Sequence, residues 1–192
     1  NNHLGVPFTL LRLTSEHEMA IIEMGANKPG DIKELVEIAE PTHGVITNIG
    51  AAHIEGFGSL DGVIKTKTEL YDFIGKNNGC IIYNAQDDIL VNKLPAGIET
   101  FTYGAEKGNV RGELTKLDPF VSFEWTVDNQ KSPELKTQLV GKYNFTNFLL
   151  AVAVGVLFEV DDKDINEAIE GYTPSNNRSQ VSRTDRNTLI VD

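Results

Sequence analysis

Between Val45 and Ile74 the spacing of apolar residues changes from continuous to helical. Val45-Ile46-Thr47-Asn48-Ile49 reads as a short strand, and a glycine-punctuated loop follows, Gly50-Ala51-Ala52-His53-Ile54-Glu55-Gly56-Phe57-Gly58. Ser59 stands where a helix N-cap belongs. Leu60, Val63, Ile64, Lys67, Leu70, Tyr71 and Ile74 then recur at the 3.6-residue period of one helical face, with Lys67 in the middle of it. Upstream, Pro7 suits the first turn of a short helix near Val6 to Leu11. Met19 to Met24 is apolar except for Glu23, the composition of a strand buried on both faces. After the Pro29-Gly30 turn, Asp31 and Glu34 are spaced as a capping box, and Ile32, Leu35, Val36 and Ala39 supply a helical face that Pro41 stops. Met19 to Ile49 therefore reads as a βαβ unit with a right-handed crossover.

Downstream, Cys80 to Tyr83 predicts a strand, Asp87 to Leu94 a short helix ended by Pro95, and Glu99 to Tyr103 another strand. Helical crossovers between apolar strands predict an α/β fold, an open and mostly parallel sheet with helices on both faces. The rhythm then changes to two: Val121, Phe123, Trp125 and Val127 alternate with Ser122, Glu124, Thr126 and Asp128. With Asn109 to Leu117 before the Asp118-Pro119 turn and Glu134 to Val140 after, this predicts a small antiparallel sheet at about 109–140 with one wet face. No Pro- or Ser-rich linker isolates it, so residues 1–192 read as one domain. Tyr143 to Phe158 is apolar almost all round and predicts a deeply buried helix. Asp164 to Ile169 predicts a short helix closed by Gly171, and Gln180 to Thr184 with Thr188 to Val191 a final strand pair.

Composition narrows the function classes. The chain has 192 residues, 40% hydrophobic and 23% charged, enough for a sizeable core. A formal net charge of −11 argues against a broad nucleic-acid footprint, while phosphate ligands stay open if a metal ion or helix N-termini carry the positive potential. Cys80 is the single cysteine, which excludes an internal disulfide and suits a reducing compartment. No apolar run approaches the roughly 20 residues of a membrane span. Asn1 is not a natural start, so the chain reads as excised from something longer.

In an open α/β sheet ligands bind beyond the carboxyl ends of the strands. Glu23, Asn48, His53 and Asp192 fall at predicted strand ends or just after them. A carboxylate and an imidazole are ordinary ligands of a divalent ion. Burial of Lys67 would depress its pKa and leave a neutral amine able to take up carbon dioxide as a carbamate. The other reading, which the pattern alone favours, is a lysine whose stem lines the stripe while its amine reaches water. Asn144 and Asn147 share a helical face. The first suits a helix cap, and the second could pair with a purine edge. Arg178 is either a phosphate clamp or a surface arginine.

Several longer runs carry a resemblance. Asn2-His3-Leu4-Gly5-Val6-Pro7-Phe8-Thr9-Leu10-Leu11, Glu23-Met24-Gly25-Ala26-Asn27 and Thr47 to Ser59 resemble the Mur ligase family. Lys67-Thr68-Glu69 resembles the family's lysine-x-glutamate after the histidine loop, and Gly141 to Asn147 its glycine-x-histidine-asparagine-x-x-asparagine motif. Asn177-Arg178 and Leu189-Ile190-Val191-Asp192 resemble its last central-domain motifs.

The resemblance implies the central ATPase domain of a peptidoglycan-precursor ligase. ATP would phosphorylate the terminal carboxylate of UDP-N-acetylmuramoyl-tripeptide, and the amine of D-alanyl-D-alanine would attack the acyl phosphate. Glu23 would hold one Mg2+ ion, and His53 with N-carboxylated Lys67 a second. Asn147 would contact adenine with Asn144 beside it, Arg178 the phosphates and Asp192 the ribose. Asn2 and His3 fall on the phosphate side without an assigned role. The implied protein is cytoplasmic and monomeric, with no nucleic-acid or membrane partner. In two respects the chain departs from the family pattern: Tyr143 replaces the family histidine, and no G-x-x-x-x-G-K-[ST] phosphate loop is present. That loop is expected upstream of Asn1 and a further domain downstream of Asp192, which would leave this fragment inactive. A folylpolyglutamate synthase-like amide ligase is the second reading, opposed by the Glu23 to Asn27 run. A non-catalytic nucleotide- or metal-binding module is the third, motivated by the missing loop.

Overall fold

The computed structural model describes residues 1–50, 54–174, 180–183 and 187–191. The chain divides into two compact units, one of Asn1–Ile82 with Asp87–Thr100, the other of Tyr83–Gln86 with Phe101–Asp192. Strands β1 to β7 form a mixed sheet in which parallel and antiparallel pairs both occur.

In the first unit, α1 (Gly5–Leu10) and α2 (Asp31–Ala39) precede β1 (His43–Val45), α3 (Ile54–Phe57), α4 (Leu60–Lys76) and β2 (Cys80–Asn84), whose first residues belong here. α4 begins as its sequence predicts, with the Ser59 hydroxyl accepting from the Gly62 N–H at 3.1 Å. Its stripe buries Val63, Ile64, Tyr71 and Ile74, together with Thr66 and Thr68, which the apolar pattern omits. Both threonines satisfy their hydroxyls on carbonyls of the preceding turn, Gly62 and Lys65. α2 buries Ile32, Leu35 and Val36. Its capping box does not form: Gly30, at φ 89°, is the N-cap, and Asp31 turns back to accept from the Asn27 and Lys28 N–H groups at 2.8 and 3.0 Å. α5 (Asp88–Val91) is capped by Asp87, whose carboxylate accepts from Leu90 N–H.

Strand expectations need correction in this unit. β1 pairs in parallel with β2, His43 opposite Cys80 to Val45 opposite Ile82, and stops where Val45 to Ile49 was expected to run. α4 packs against β1 at Gly44, where a β-carbon would lie 3.0 Å from Ile74 Cγ1 and 3.1 Å from Leu70 Cγ. Gly44 is the residue that admits the helix. Met19 to Met24 forms no strand, and so no βαβ unit. Met19 is 45% and Ile21 83% exposed, and among the described residues no strand pairs with the segment. Apolar composition cannot make a strand without a ladder to join.

The second unit carries the end of β2, then β3 (Glu99–Gly104), β4 (Val110–Leu117), β5 (Phe120–Val127), β6 (Gln130–Lys131) and β7 (Leu135–Val140). β3 pairs in parallel with β4, and β5 pairs antiparallel with β4, β6 and β7. The expected antiparallel strands are thus continuous with parallel ones. α6 (Tyr143–Leu157) packs on β4 and β5, and α7 (Asp162–Gly171) on β7. Val121, Phe123 and Trp125 are buried as their alternation predicts, but so is Ser122, which the alternation puts on the wet face. Phe123 meets Phe145 edge-on and stacks on Phe148, both at 5.7 Å between centroids. Trp125 donates its indole N–H to Asn166 Oδ1 at 2.8 Å, the polar partner a buried tryptophan needs. Glu170 of α7 accepts from the Lys136 N–H at 3.0 Å, and its carbonyl accepts from Gln138 Nε2 at 3.1 Å. α6 is buried on one face only (Phe145, Phe148, Leu149, Val152, Ala153). Asn147 and Ala151 are exposed, so its apolar length overstates its burial. β8 (Gln180–Arg183) and β9 (Thr188–Val191) pair antiparallel as expected.

Gly112 of β4 lies under the buried Leu149 side chain. A β-carbon there would stand inside contact distance of Leu149 Cδ2 and 2.8 Å from Cδ1. Gly112→Ala is expected to destabilise the fold by about 1–3 kcal/mol through overpacking. Urea midpoints should show less than additive loss when it is combined with Leu149→Ala, because the truncation empties the contested volume.

Candidate functional site

Lys67 sits at the middle of α4, and its exposure is intermediate. Its Nζ donates to the backbone carbonyl of Asn48, just after β1, at 2.8 Å. Among the described residues it makes no ion pair with a carboxylate. Partial burial lowers its pKa, because desolvation disfavours the charged form. The flanking threonines are buried while Lys67 is not fully so, which places the lysine at the margin of the core.

Segments that the sequence singles out separately are brought against one another in this unit. The Asn27 carbonyl, four residues after Glu23, lies so close to Gly56 that a β-carbon there would collide with it. Gly56 follows His53 by three positions. Lys67 reaches Asn48, five positions before His53. Glu69 accepts from the Gly30 and Lys33 N–H groups at 3.1 and 2.9 Å, closing the loop that begins at Glu23. Glu23 itself is exposed and accepts from Asn1 Nδ2 at 3.0 Å, while Gly25 N–H donates to the Asn1 carbonyl at 2.6 Å. Glu23 therefore ends a segment without regular secondary structure, not the strand expected before it. Asn2 plays a structural part, its Oδ1 accepting from the Leu4 and Gly5 N–H groups at the start of α1.

In the second unit, Asn144 is buried in the first turn of α6 and does not cap it. Lys142 is the N-cap residue, and Asn144 Nδ2 donates to the Val140 carbonyl at 2.7 Å, tying the helix to the end of β7. Asn147 is exposed and donates to Asn144 Oδ1 at 3.2 Å. The buried asparagine thus orients the exposed one. His53, Arg178 and Asp192 lie outside the described residues. Among the described residues no group of three or more His, Cys, Asp or Glu side chains gathers as a metal site. The sequence pattern does not single out Glu69 as a contact-maker. Its signals are its place in the lysine-x-glutamate run and its position as a carboxylate two residues after Lys67 on a helix that packs against α2.

A family model described as the Mur ligase middle domain matches residues 1–155. A UDP-N-acetylmuramoyl-tripeptide–D-alanyl-D-alanine ligase of Bacillus subtilis is 31% identical over 194 aligned residues, covering 100% of this chain and 41% of the relative. The ligase of the same name from Escherichia coli is 34% identical, covering 81% of this chain and 35% of the relative. Among solved structures, MurF from Acinetobacter baumannii superposes with a TM-score of 0.89 at 31% identity, over 100% of this chain and 42% of that one. The chain spans about two fifths of the length of these full-coverage relatives. MurF ligase from Thermotoga maritima in complex with ADP shares the fold at 24% identity and a TM-score of 0.82, over 100% of this chain and 44% of that one.

The Lys67 environment makes a pH-dependent contribution of known sign. Its folded pKa lies below the ordinary 10.5, so between the two values the unfolded chain binds more protons. The cost of the half-buried charge is fully present below the folded pKa and is relieved as pH rises toward 10.5. In carbonate-free buffer, the stability of the wild type relative to Lys67→Met is expected to rise between neutral pH and 10.5, read as the difference in urea midpoints.

Proposed function

The chain belongs to the Mur ligase family, whose middle domain it matches over residues 1–155, and from that premise we propose that it is the ATP- and Mg2+-binding central domain of a peptidoglycan-precursor ligase. The reaction is the joining of D-alanyl-D-alanine to UDP-N-acetylmuramoyl-tripeptide. The observation that carries this reading is the 31% match of the entire chain to a ligase of that specificity. A carboxylate oxygen of the tripeptide attacks the γ-phosphorus of ATP and ADP leaves. The dipeptide amine then attacks the acyl carbon, inorganic phosphate leaves, and the amine gives up a proton. The antiparallel strands at about 109–140 are taken as part of that central domain.

The chain's own groups have the chemistry for this. The neutral form of the Lys67 amine, favoured by desolvation, adds to carbon dioxide with loss of a proton and becomes a carbamate. A carbamate nitrogen keeps one N–H, so it retains a donor for the Asn48 carbonyl that the amine already meets at 2.8 Å. The new carboxylate-like group, with Glu23 and His53, would supply a donor set for a divalent cation, two oxygen donors of the kind magnesium prefers and one imidazole nitrogen. Bound there, two Mg2+ ions would offset the negative charge developing on the phosphates and the acyl group. Asn147, oriented by Asn144, presents its amide for an adenine edge, Arg178 serves the phosphates and Asp192 the ribose. No helix among the described residues is long and apolar enough to cross a membrane. We read the parent as a cytoplasmic monomer.

The test uses the full-length polypeptide with ATP, magnesium, the nucleotide-linked tripeptide and D-alanyl-D-alanine. Phosphate release coupled to amide formation is expected, and its absence would remove the assignment. Lys67→Ala is expected to lower turnover by about 100-fold or more, the scale of losing a preorganised electrostatic stabiliser, with little rescue by added bicarbonate. Unchanged turnover would return Lys67 to a structural lysine.

A further inference from the structure

Glu69 follows Lys67 by two positions on α4, so their side chains leave the helix about 200° apart. The two grip different parts of the first unit. On one side Lys67 Nζ donates to the Asn48 carbonyl at 2.8 Å. On the other, the Glu69 carboxylate takes both of its oxygens to the N-terminus of α2, Oε1 accepting from Gly30 N–H at 3.1 Å and Oε2 from Lys33 N–H at 2.9 Å. These donors belong to the groups a helix leaves unsatisfied at its start. The local candidate for them, Asp31, is committed to Asn27 and Lys28 instead. A carboxylate there is favoured by the helix dipole and by charge-assisted hydrogen bonding.

We infer that Glu69 is a positioning residue for Lys67: by clamping α4 to the first turn of α2, it holds the helix at the rotation that delivers the amine to Asn48. The inference rests on the functional reading of Lys67 given above. The geometry makes the lever long. A lysine Nζ extends about 8 Å from its helix axis, so a rotation of about 10° displaces it by about 1.4 Å. A misplacement of about 1 Å in a reacting constellation costs on the order of 100-fold in rate. A second clamp opposite the lysine adds a directional restraint on that rotation to the packing of Val63, Ile64, Tyr71 and Ile74.

The test compares Glu69→Gln, which keeps the size and one acceptor, and Glu69→Asp, a carboxylate one methylene shorter, in the full-length polypeptide. Glu37→Gln, exposed on α2, is the control. Three readouts are taken: amide exchange at Gly30 and Lys33, the acylation rate of the Lys67 amine relative to exposed Lys65 by peptide mass spectrometry in carbonate-free buffer, and kcat with KM. For Glu69→Gln the two amides are expected to exchange about tenfold faster, as fits the loss of a charge-assisted pair. Lys67 acylation should move at least about threefold toward that of Lys65, and kcat should fall about tenfold or more with KM for the dipeptide little changed. Glu69→Asp should fall between, and Glu37→Gln should match the wild type. Faster amide exchange with Lys67 acylation and kcat unchanged would reduce Glu69 to a helix cap and overturn the inference, as would unchanged exchange. A wild-type polypeptide with no ligase turnover would sink the functional reading instead, while amide exchange and acylation would still decide the role of Glu69.

Discussion

A cation half withdrawn from water must be answered by a partner or become easier to deprotonate. At Lys67 the partner among the described residues is a backbone carbonyl, that of Asn48, and the pKa falls through desolvation. Much of the first unit can be understood as the means of keeping that amine where it is. Ser59 starts α4, Gly44 lets the helix close on β1, and Thr66 and Thr68 bury hydroxyls on either side without leaving them unsatisfied. Each device is polar or steric and directional. None depends on a large apolar area.

The second unit is organised on a different principle. Phe123, Phe145 and Phe148 pack ring against ring, Leu149 fills the space that Gly112 leaves, and Trp125 finds Asn166 for its N–H. Here shape and apolar burial determine where α6 lies. The buried Asn144 is the exception. Its bonds to the Val140 carbonyl and to Asn147 fix the start of α6, where the proposed adenine contact belongs.

Local signals in the sequence are legible where a single residue type has a single use. Ser59 and Asp87 cap helices, and the alternation from Val121 to Val127 marks a strand, whereas α7 runs through Gly171 and ends at Tyr172. They mislead where the outcome depends on a distant partner. Met19 to Met24 has the composition of a buried strand, yet strand formation requires neighbouring backbone donors and acceptors that composition does not report. Asp31 and Glu34 have capping-box spacing, yet a carboxylate from α4 occupies the donors of that helix end. Lys67 is visible as an anomaly in an apolar stripe. What it touches is not, since Asn48 contributes only a main-chain oxygen and no side-chain signature.

The link between α7 and β7 has a meaning beyond packing. A strand at the rim of a sheet displays a row of main-chain hydrogen-bonding groups, and any extended peptide can pair with them. On β7 the Lys136 N–H is already taken by the Glu170 carboxylate, and the Gln138 side chain is held by the Glu170 carbonyl. One glutamate residue thus occupies donors along this margin from within the same fold. A stray strand from another molecule would have to displace a charged side chain before it could pair with the main chain at Lys136.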